Sequence, residues 1–319
     1  MGIVATIVIP AYKRPEMLRK AVLSTFALDF DRHAYEVIVV DSSPDDANAR
    51  VVAELQASAP CALRFLRKQP EGPGPSRNLG ARTGTGEFIA FLDSDCQVSP
   101  GWLRAGLDAF APGVGIVQGR TIADPEGRPG VFTWYVSIEQ ENFYYETCNI
   151  FYRRAAFEQA GGFQKDLTPT ADIPLGGEDV DLAWAVKRRG WKAVFAREAL
   201  VYHEVIRISV ARWLCDPRFF LCAECVRRVP ELRQFFVARY FYDWIQAWFT
   251  LALAGAAGAF VTPWSLALCV PYAIARGGGR TNTLGGVLRP LRVLFYLPRD
   301  AATFGLLVAG SIRARRLLL

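Results

Sequence analysis

The sequence offers no cysteine framework. Its seven cysteines are odd in number and follow no regular spacing, which excludes a disulfide-stapled scaffold and makes a reducing cytoplasm the expected compartment. Cys222 and Cys225 form C-x-x-C, yet no second Cys or His pair stands near them. Half a tetrahedral site does not hold structural zinc, so both read as ordinary helix residues. No secretory leader is expected either, because Met1 to Pro10 is short and carries no charge ahead of a strand-like run. There is no internal repeat. Acid is nearly missing from the C-terminal stretch, where residues 245–319 hold eight Arg and only Asp300 for a charge of +7, leaving −1 for the rest of a chain whose total is +6. A nucleic-acid enzyme carries its basic footprint on its catalytic part, so no nucleic-acid partner is expected. Arg beside apolar helices reads instead as a membrane-surface signal.

Charge is absent altogether from residues 247–275. As helix that stretch would run about 43 Å, more than the hydrocarbon core of about 30 Å, but Pro263 and Pro271 interrupt it. The expectation is one kinked span or a re-entrant pair of short helices at the interface. Ala301 to Ile312 is too short to cross unless it extends back through Pro298-Arg299-Asp300. Arg313-Ala314-Arg315-Arg316 at its end favours the cytoplasmic face.

What is present is a chain of 319 residues, 51% hydrophobic and 21% charged, with a mean hydropathy of +0.15. That excludes disorder for most of the chain and suits about two folding units. Residues 3–9 and 36–41 read as strands buried on both faces, and Arg14 to Leu23 between them as a helix with Pro15 near its start. A helix around Asp45 to Ala57 and a strand near Ala62 to Leu66 follow. Pro70-Glu71-Gly72-Pro73-Gly74-Pro75 reads as a turn, Ser76 to Thr83 as a helix and Glu87 to Leu92 as a strand. Such alternation predicts an α/β domain, a mostly parallel sheet flanked by helices, with its ligand beyond the carboxyl ends of the strands. Three strand ends, Pro10-Ala11-Tyr12, Asp41-Ser42-Ser43 and Asp93-Ser94-Asp95, meet on that rim. Further strands are expected at Ile116 to Gly119 and Cys148 to Tyr152, then a short helix from Ala155 to Gln159. A helix opening on Glu178-Asp179 ends near Arg188-Arg189-Gly190.

Asp93 and Asp95, two apart on an extended segment, leave it on the same side and can share a divalent cation through oxygen. A nucleoside diphosphate is the natural third party, since such cations bridge carboxylate and phosphate. A turn would equally explain Asp and Ser there. His203, one of two histidines, follows a strand and would tilt a shared site toward manganese over magnesium. A carboxylate at a helix N-terminus is expected to be kept ionised by the dipole, so Asp179 would be available as a base. Glu178 would orient it or bind an acceptor hydroxyl; helix capping would explain either acid but not its place in the order of the motifs, so the functional reading stands ahead. Trp184 would stack on an acceptor sugar or simply pack.

Eight blocks in order over residues 3–205 carry a resemblance: Val8-Ile9-Pro10-Ala11-Tyr12-Lys13-Arg14, Val39-Val40-Asp41-Ser42-Ser43, Gly74-Pro75-Ser76-Arg77-Asn78-Leu79-Gly80-Ala81, Phe91-Leu92-Asp93-Ser94-Asp95, Asn149-Ile150-Phe151, Gly161-Gly162-Phe163, Gly177-Glu178-Asp179-Val180-Asp181 and Val201-Tyr202-His203. Together they resemble the signature blocks of family 2 glycosyltransferases. The resemblance implies a GT-A type fold, a nucleotide-diphosphate sugar donor (a UDP-sugar first), Mn2+ or Mg2+, and inversion at the anomeric carbon. It implies that Asp41 contacts the nucleoside, with Pro10, Tyr12, Arg14, Arg77 and Ser94 also around the nucleotide. Asp93 and Asp95 would hold ribose, metal and diphosphate, with His203 as a further metal ligand and Asp179 as catalytic base beside Glu178. Processive members carry Gln-x-x-Arg-Trp after the base. Here Ser209 stands in place of Gln ahead of Arg212 and Trp213, so one sugar per encounter is expected, with Arg212 and Trp213 as acceptor contacts.

The expected organisation is a catalytic domain over 1–207, a helical connector over 208–244 and a membrane-associated region over 245–319. The acceptor would be a lipid-linked or cell-surface glycan precursor, at the cytoplasmic face of the membrane. Competing readings are a processive polysaccharide synthase, a nucleotidyltransferase and an inert nucleotide-binding scaffold. A nucleotidyltransferase would want a glycine-rich phosphate cradle after the first strand, which residues 10–14 do not supply.

Overall fold

The computed structural model describes residues 2–164, 177–278 and 289–319. It divides into two compact units, Met1–Arg207 and Ile208–Leu319. In the first, β1 (Ala5–Ala11), α1 (Pro15–Phe26), β2 (Tyr35–Asp41), α2 (Ala47–Gln56) and β3 (Ala62–Arg67) are followed by α3 (Pro73–Thr83), β4 (Phe88–Leu92), β5 (Cys96–Val98) and α4 (Trp102–Asp108). Then come β6 (Val114–Ala123), β7 (Thr133–Trp134), β8 (Asn149–Arg153), α5 (Arg154–Ala160), α6 (Glu178–Arg188), β9 (Lys192–His203) and β10 (Ile206–Arg207).

Eight strands form one sheet in the order β3-β2-β1-β4-β8-β6-β9-β5. The first four run parallel, as does β9 beside β6, while β8 is inserted antiparallel between β4 and β6 and β5 is antiparallel to β9. The sheet is therefore mostly parallel, as the alternation of strands and helices predicts, with β8 and β5 as antiparallel members. Every residue of β2 is buried, and all of β1 but Pro10, the signature of strands covered on both faces. Connections β1–β2 and β2–β3 step one way and β3–β4 steps back across β1. With right-handed crossovers this puts α3 on the face opposite α1 and α2, and the strand order reverses between β1 and β4, the place beyond whose carboxyl ends ligands gather in such sheets.

One expectation is corrected. Pro73, Gly74 and Pro75 are not part of a turn but the first turn of α3. The N–H groups of a first turn have no intrahelical partner, so proline costs nothing there. Gly80 then lets α3 lie directly on the sheet, since a Cβ at that position would collide with Val8 of β1 and press on Val40 of β2.

The second unit contains α7 (Val210–Leu214), α8 (Cys222–Arg228), α9 (Trp244–Gly258), α10 (Val270–Gly277) and α11 (Arg289–Ala314), with 3-10 turns at Pro217–Leu221, Pro230–Phe235 and Pro263–Cys269. The uncharged stretch is thus α9, a 3-10 turn and α10 rather than one kinked span. The last apolar helix extends back through Pro298, and Leu291–Ala314 is long and apolar enough to cross a membrane by length and composition. Residues 279–288 of the expected 245–319 region lie outside the described residues.

Candidate active site

The carboxyl ends of β1, β2 and β4 are level, because Ala11 pairs with Asp41 and Val8 with Phe91. The antiparallel β8 begins where β4 ends, with Leu92 opposite Asn149, so the segment before β8 reaches the same rim. β9 ends there too, with His203 opposite Cys96.

At the end of β2, Asp41 is fully buried. Its Oδ1 accepts from Ser43 N–H at 3.0 Å, Ser43 Oγ at 2.7 Å and Asn48 Nδ2 at 2.9 Å, and its Oδ2 faces Arg67 at 3.5 Å. Ser43 Oγ in turn accepts from Lys13 N–H at 2.8 Å, holding the end of β1 to the end of β2. Lys13 sits at φ 51°, a left-handed conformation uncommon outside glycine and costing on the order of 1–3 kcal/mol. Pro10 is partly exposed, and Tyr12 exposed with the Lys13 ammonium 5.2 Å from its ring centre.

Asp93, Ser94 and Asp95 do not form the extended segment the spacing predicts. Cys96 N–H donates to Asp93 O at 3.1 Å, closing a tight turn that sends the two carboxylates to different partners. Asp93 accepts from Arg77 Nη2 at 2.6 Å. Asp95 pairs with Arg14 and lies 4.0 Å from His203 Nε2, and Ser94 is buried between them. His203 is buried, with Nδ1 2.8 Å from Glu204 O and its ring edge-on to Trp134 at 5.2 Å. A carbonyl only accepts, so Nδ1 carries a proton and Nε2 is the ring atom on the Asp95 side.

Arg77 is the hub of the rim. Its guanidinium is buried between Asp93 and Glu178, the latter at 3.4 Å, with Phe163 beneath it at 5.7 Å. Among the described residues its Nε is buried without a hydrogen-bond partner. Burial alone would weaken the charge, but Asp93, Asp179 and Glu178 hold the guanidinium above its ordinary pKa.

Glu178 and Asp179 open α6 after Gly177, whose φ of 105° is one that a side chain disfavours. Asp179 Oδ2 accepts from Thr147 N–H at 3.1 Å and Thr147 Oγ1 at 3.2 Å. At Asp179 burial outweighs the helix dipole, contrary to the expectation of a readily ionised carboxylate. Burial pushes its carboxyl above the usual range despite Arg77 and the Thr147 bonds. Burial and then the Asp179 charge push Glu178 up to about 7. A like-charged pair in a desolvated site takes up one proton before both ionise. Because burial raises the Asp179 carboxyl, activity that needs its ionised form is expected to be lost at higher pH than an ordinary carboxylate would allow. Glu178→Gln removes the coupled acid, so the acid limb should move to lower pH; a pH profile of kcat superimposable on the wild type would contradict this coupling.

Trp184 is buried on α6, with Nε1 donating to Phe143 O at 3.2 Å and the Lys187 ammonium 4.4 Å from its ring. It pins the segment before β8. Arg212 and Trp213 belong to the second unit. There Arg212 is exposed, and Trp213 is buried against Phe295 and Tyr296 with Arg299 over its ring. Sequence reasoning omits Thr147, Lys13, Ser43, Asn48 and Arg67. Lys13 and Ser43 lie inside the signature blocks, whereas Thr147 has no local signal at all.

The sheet and the rim it builds are those of a GT-A type fold. Residues 6–163 match the profile of "Glycosyl transferase family 2". The chain is 31% identical over 278 residues to the succinoglycan biosynthesis protein ExoM of Rhizobium meliloti, covering 83% of this chain and 84% of that one. It is 26% identical over 208 residues to the glycosyltransferase AglE of Haloferax volcanii, covering 62% of this chain and 66% of that one. In structure it is similar to the mannosyltransferase PcManGT of Pyrobaculum calidifontis in complex with GDP-Man and Mn2+. That match has a TM-score of 0.61 and 17% identity, and covers 99% of this chain and 88% of the other. The chain belongs to glycosyl transferase family 2 and is a glycosyltransferase.

Proposed function

We propose that this rim transfers a sugar from a nucleoside diphosphate sugar to an acceptor hydroxyl in one displacement with inversion. The observation that carries the reading is the buried Arg77, with Asp93 on one side and the Glu178–Asp179 pair on the other. It sets a phosphate-side carboxylate and the charge of the base around one guanidinium, through ion pairs to Asp93 and Glu178 and through the field of Asp179. Asp179, aimed by Thr147, takes the proton of the acceptor hydroxyl as that oxygen attacks. Its raised pKa brings it nearer to neutrality, where a base works best. Arg77 remains charged and offers a cation near the departing diphosphate. Asp41, Pro10, Tyr12, Arg14 and Ser94 surround the nucleoside, and Asp93 the ribose and diphosphate.

A divalent cation fits Asp95 and His203, because the protonated Nδ1 leaves Nε2 free to ligate and the carboxylate oxygen is 4.0 Å away. Cys96, the third of the grouped side chains, is unsuited because Mn2+ and Mg2+ prefer oxygen and imidazole ligands to sulfur. When bound, Mn2+ or Mg2+ supplies charge that offsets the negative charge growing on the leaving diphosphate. The GDP-Man and Mn2+ held by the Pyrobaculum enzyme support a nucleotide-sugar donor with such a cation, and add GDP to the expected UDP.

The acceptor is a lipid-linked or surface glycan precursor at the cytoplasmic face of the membrane, supported by the arginine-rich, apolar 245–319 region. Incubation with a panel of nucleotide sugars, with Mn2+ and with Mg2+, tests the reading. One donor should release its nucleoside diphosphate in a metal-dependent manner. Release of pyrophosphate instead would favour nucleotidyl transfer and overturn it.

A further inference from the structure

Most of the catalytic rim is tied into hydrogen bonds, but the second unit carries an end that is paired internally and bare outside. The 3-10 turn Pro263–Cys269 folds back on α9, with Ser265 Oγ donating to Gly255 O at 2.9 Å and Cys269 Sγ to Ala252 O at 3.5 Å. The inner side of this hairpin is packed by Phe249, Tyr272 and Phe304, whose rings meet at 5.3 and 5.7 Å. The outer side is open: Phe260 is 96% exposed, Val261 89%, Trp264 86% and Ile274 66%, with Leu253 and Val270 also exposed. Exposed large apolar groups held together in this way mark an interaction surface.

We propose that this hairpin inserts into one leaflet of an anionic bilayer and that the chain rests on the membrane without crossing it. The inference deepens the membrane reading above and does not depend on the chemistry at the strand ends. Three observations commit the surface to lipid. First, most of the amide N–H groups at the tip are paired internally. The N–H groups of Ala259, Phe260, Val261, Thr262 and Ser265 all donate to carbonyls within residues 255–262, and residue 263, being proline, has none. Hydrocarbon demands such pairing because it offers no partner of its own.

Second, the elements are short. At 1.5 Å per residue α9 is about 22 Å long and α10 about 12 Å, each less than the hydrocarbon core of about 30 Å, so the hairpin reaches one leaflet only. The longer α11 is unsuited to span. It carries Arg299 and Asp300 near its middle, and Asp300 is buried against Tyr272 Oη at 2.7 Å and Arg276. Its C-terminal half also packs on the Pro217–Leu221 turn, where Gly310 lies against the Phe220 backbone.

Third, the charge is complementary to lipid and not to a second copy. Residues 245–319 hold eight Arg and one acid, and that acid is already paired, whereas Arg313, Arg315 and Arg316 are exposed. Two such units face to face would oppose like charges, while anionic headgroups neutralise them.

The test is co-sedimentation of the full chain with vesicles of phosphatidylcholine alone and with added phosphatidylglycerol. Binding should appear with the anionic vesicles and weaken as salt is raised. The double variant Phe260→Ser, Trp264→Ser, altered at two solvent-facing positions, should lose about tenfold in partitioning. Its donor hydrolysis in solution should match the wild type, which reads the enzyme separately. Wild-type partitioning by the variant would overturn the proposal, as would equal binding to neutral and anionic vesicles. So would a dimer that the double variant dissociates, which would assign the surface to a second copy.

Discussion

Asp179→Asn is expected to lower kcat by about 10³-fold, the usual scale for losing a general base, while the donor Kd stays within about twofold. The amide has nearly the shape of the carboxylate, and its oxygen can keep accepting from Thr147 N–H and Oγ1, so the rim should hold its geometry. What disappears is the ability to take a proton from the acceptor hydroxyl. Asp179 is not needed to hold the donor, since Arg77 retains Asp93 and Glu178 as partners. Steady-state kinetics beside calorimetric donor titration separates the two effects. Turnover at the wild-type level would remove Asp179 from the chemistry.

Asp95→Ala should weaken Mn2+ binding more than loss of an outer-shell partner does, which is on the order of 10–100-fold, and donor affinity should fall with it. Asp95 is the carboxylate whose oxygen faces His203 Nε2, and it is also the partner of Arg14. Removing it leaves Nε2 as a single nitrogen ligand at this place, too few to retain a hard cation that prefers oxygen. Manganese titration followed by electron spin resonance reads the change directly. A curve identical to that of the wild type would place the cation elsewhere.

Much of the rim is legible because buried strands announce themselves. The runs at β1 and β2 are apolar on both faces, and the acids Asp41 and Asp93 come immediately at or after the strand ends. The expected helix opening on Glu178-Asp179 is α6, since its acids and the Arg188-Arg189-Gly190 stop are both local signals. Strand direction is different, because periodicity does not distinguish a parallel strand from an antiparallel one. That is why Thr147 goes unnoticed: it reaches the rim only because β8 runs opposite to β4. The start of α3 is hidden by Pro73 and Pro75, residues that suit a turn and a first helical turn equally. The ionisation of Glu178 and Asp179 is hidden for another reason. Their position on the dipole is local, but the burial that outweighs it is created by elements far apart in sequence.

A crystal grown with Mn2+ and the nucleoside diphosphate of the donor identified by turnover examines the central claim most directly. Anomalous scattering should locate one manganese bound by the Asp95 carboxylate and His203 Nε2, touching the diphosphate, with the Asp179 carboxylate opening onto the same rim beyond β1 and β4. Manganese bound away from both ligands, or a diphosphate seated where Asp179 cannot approach the sugar it would carry, would contradict the account.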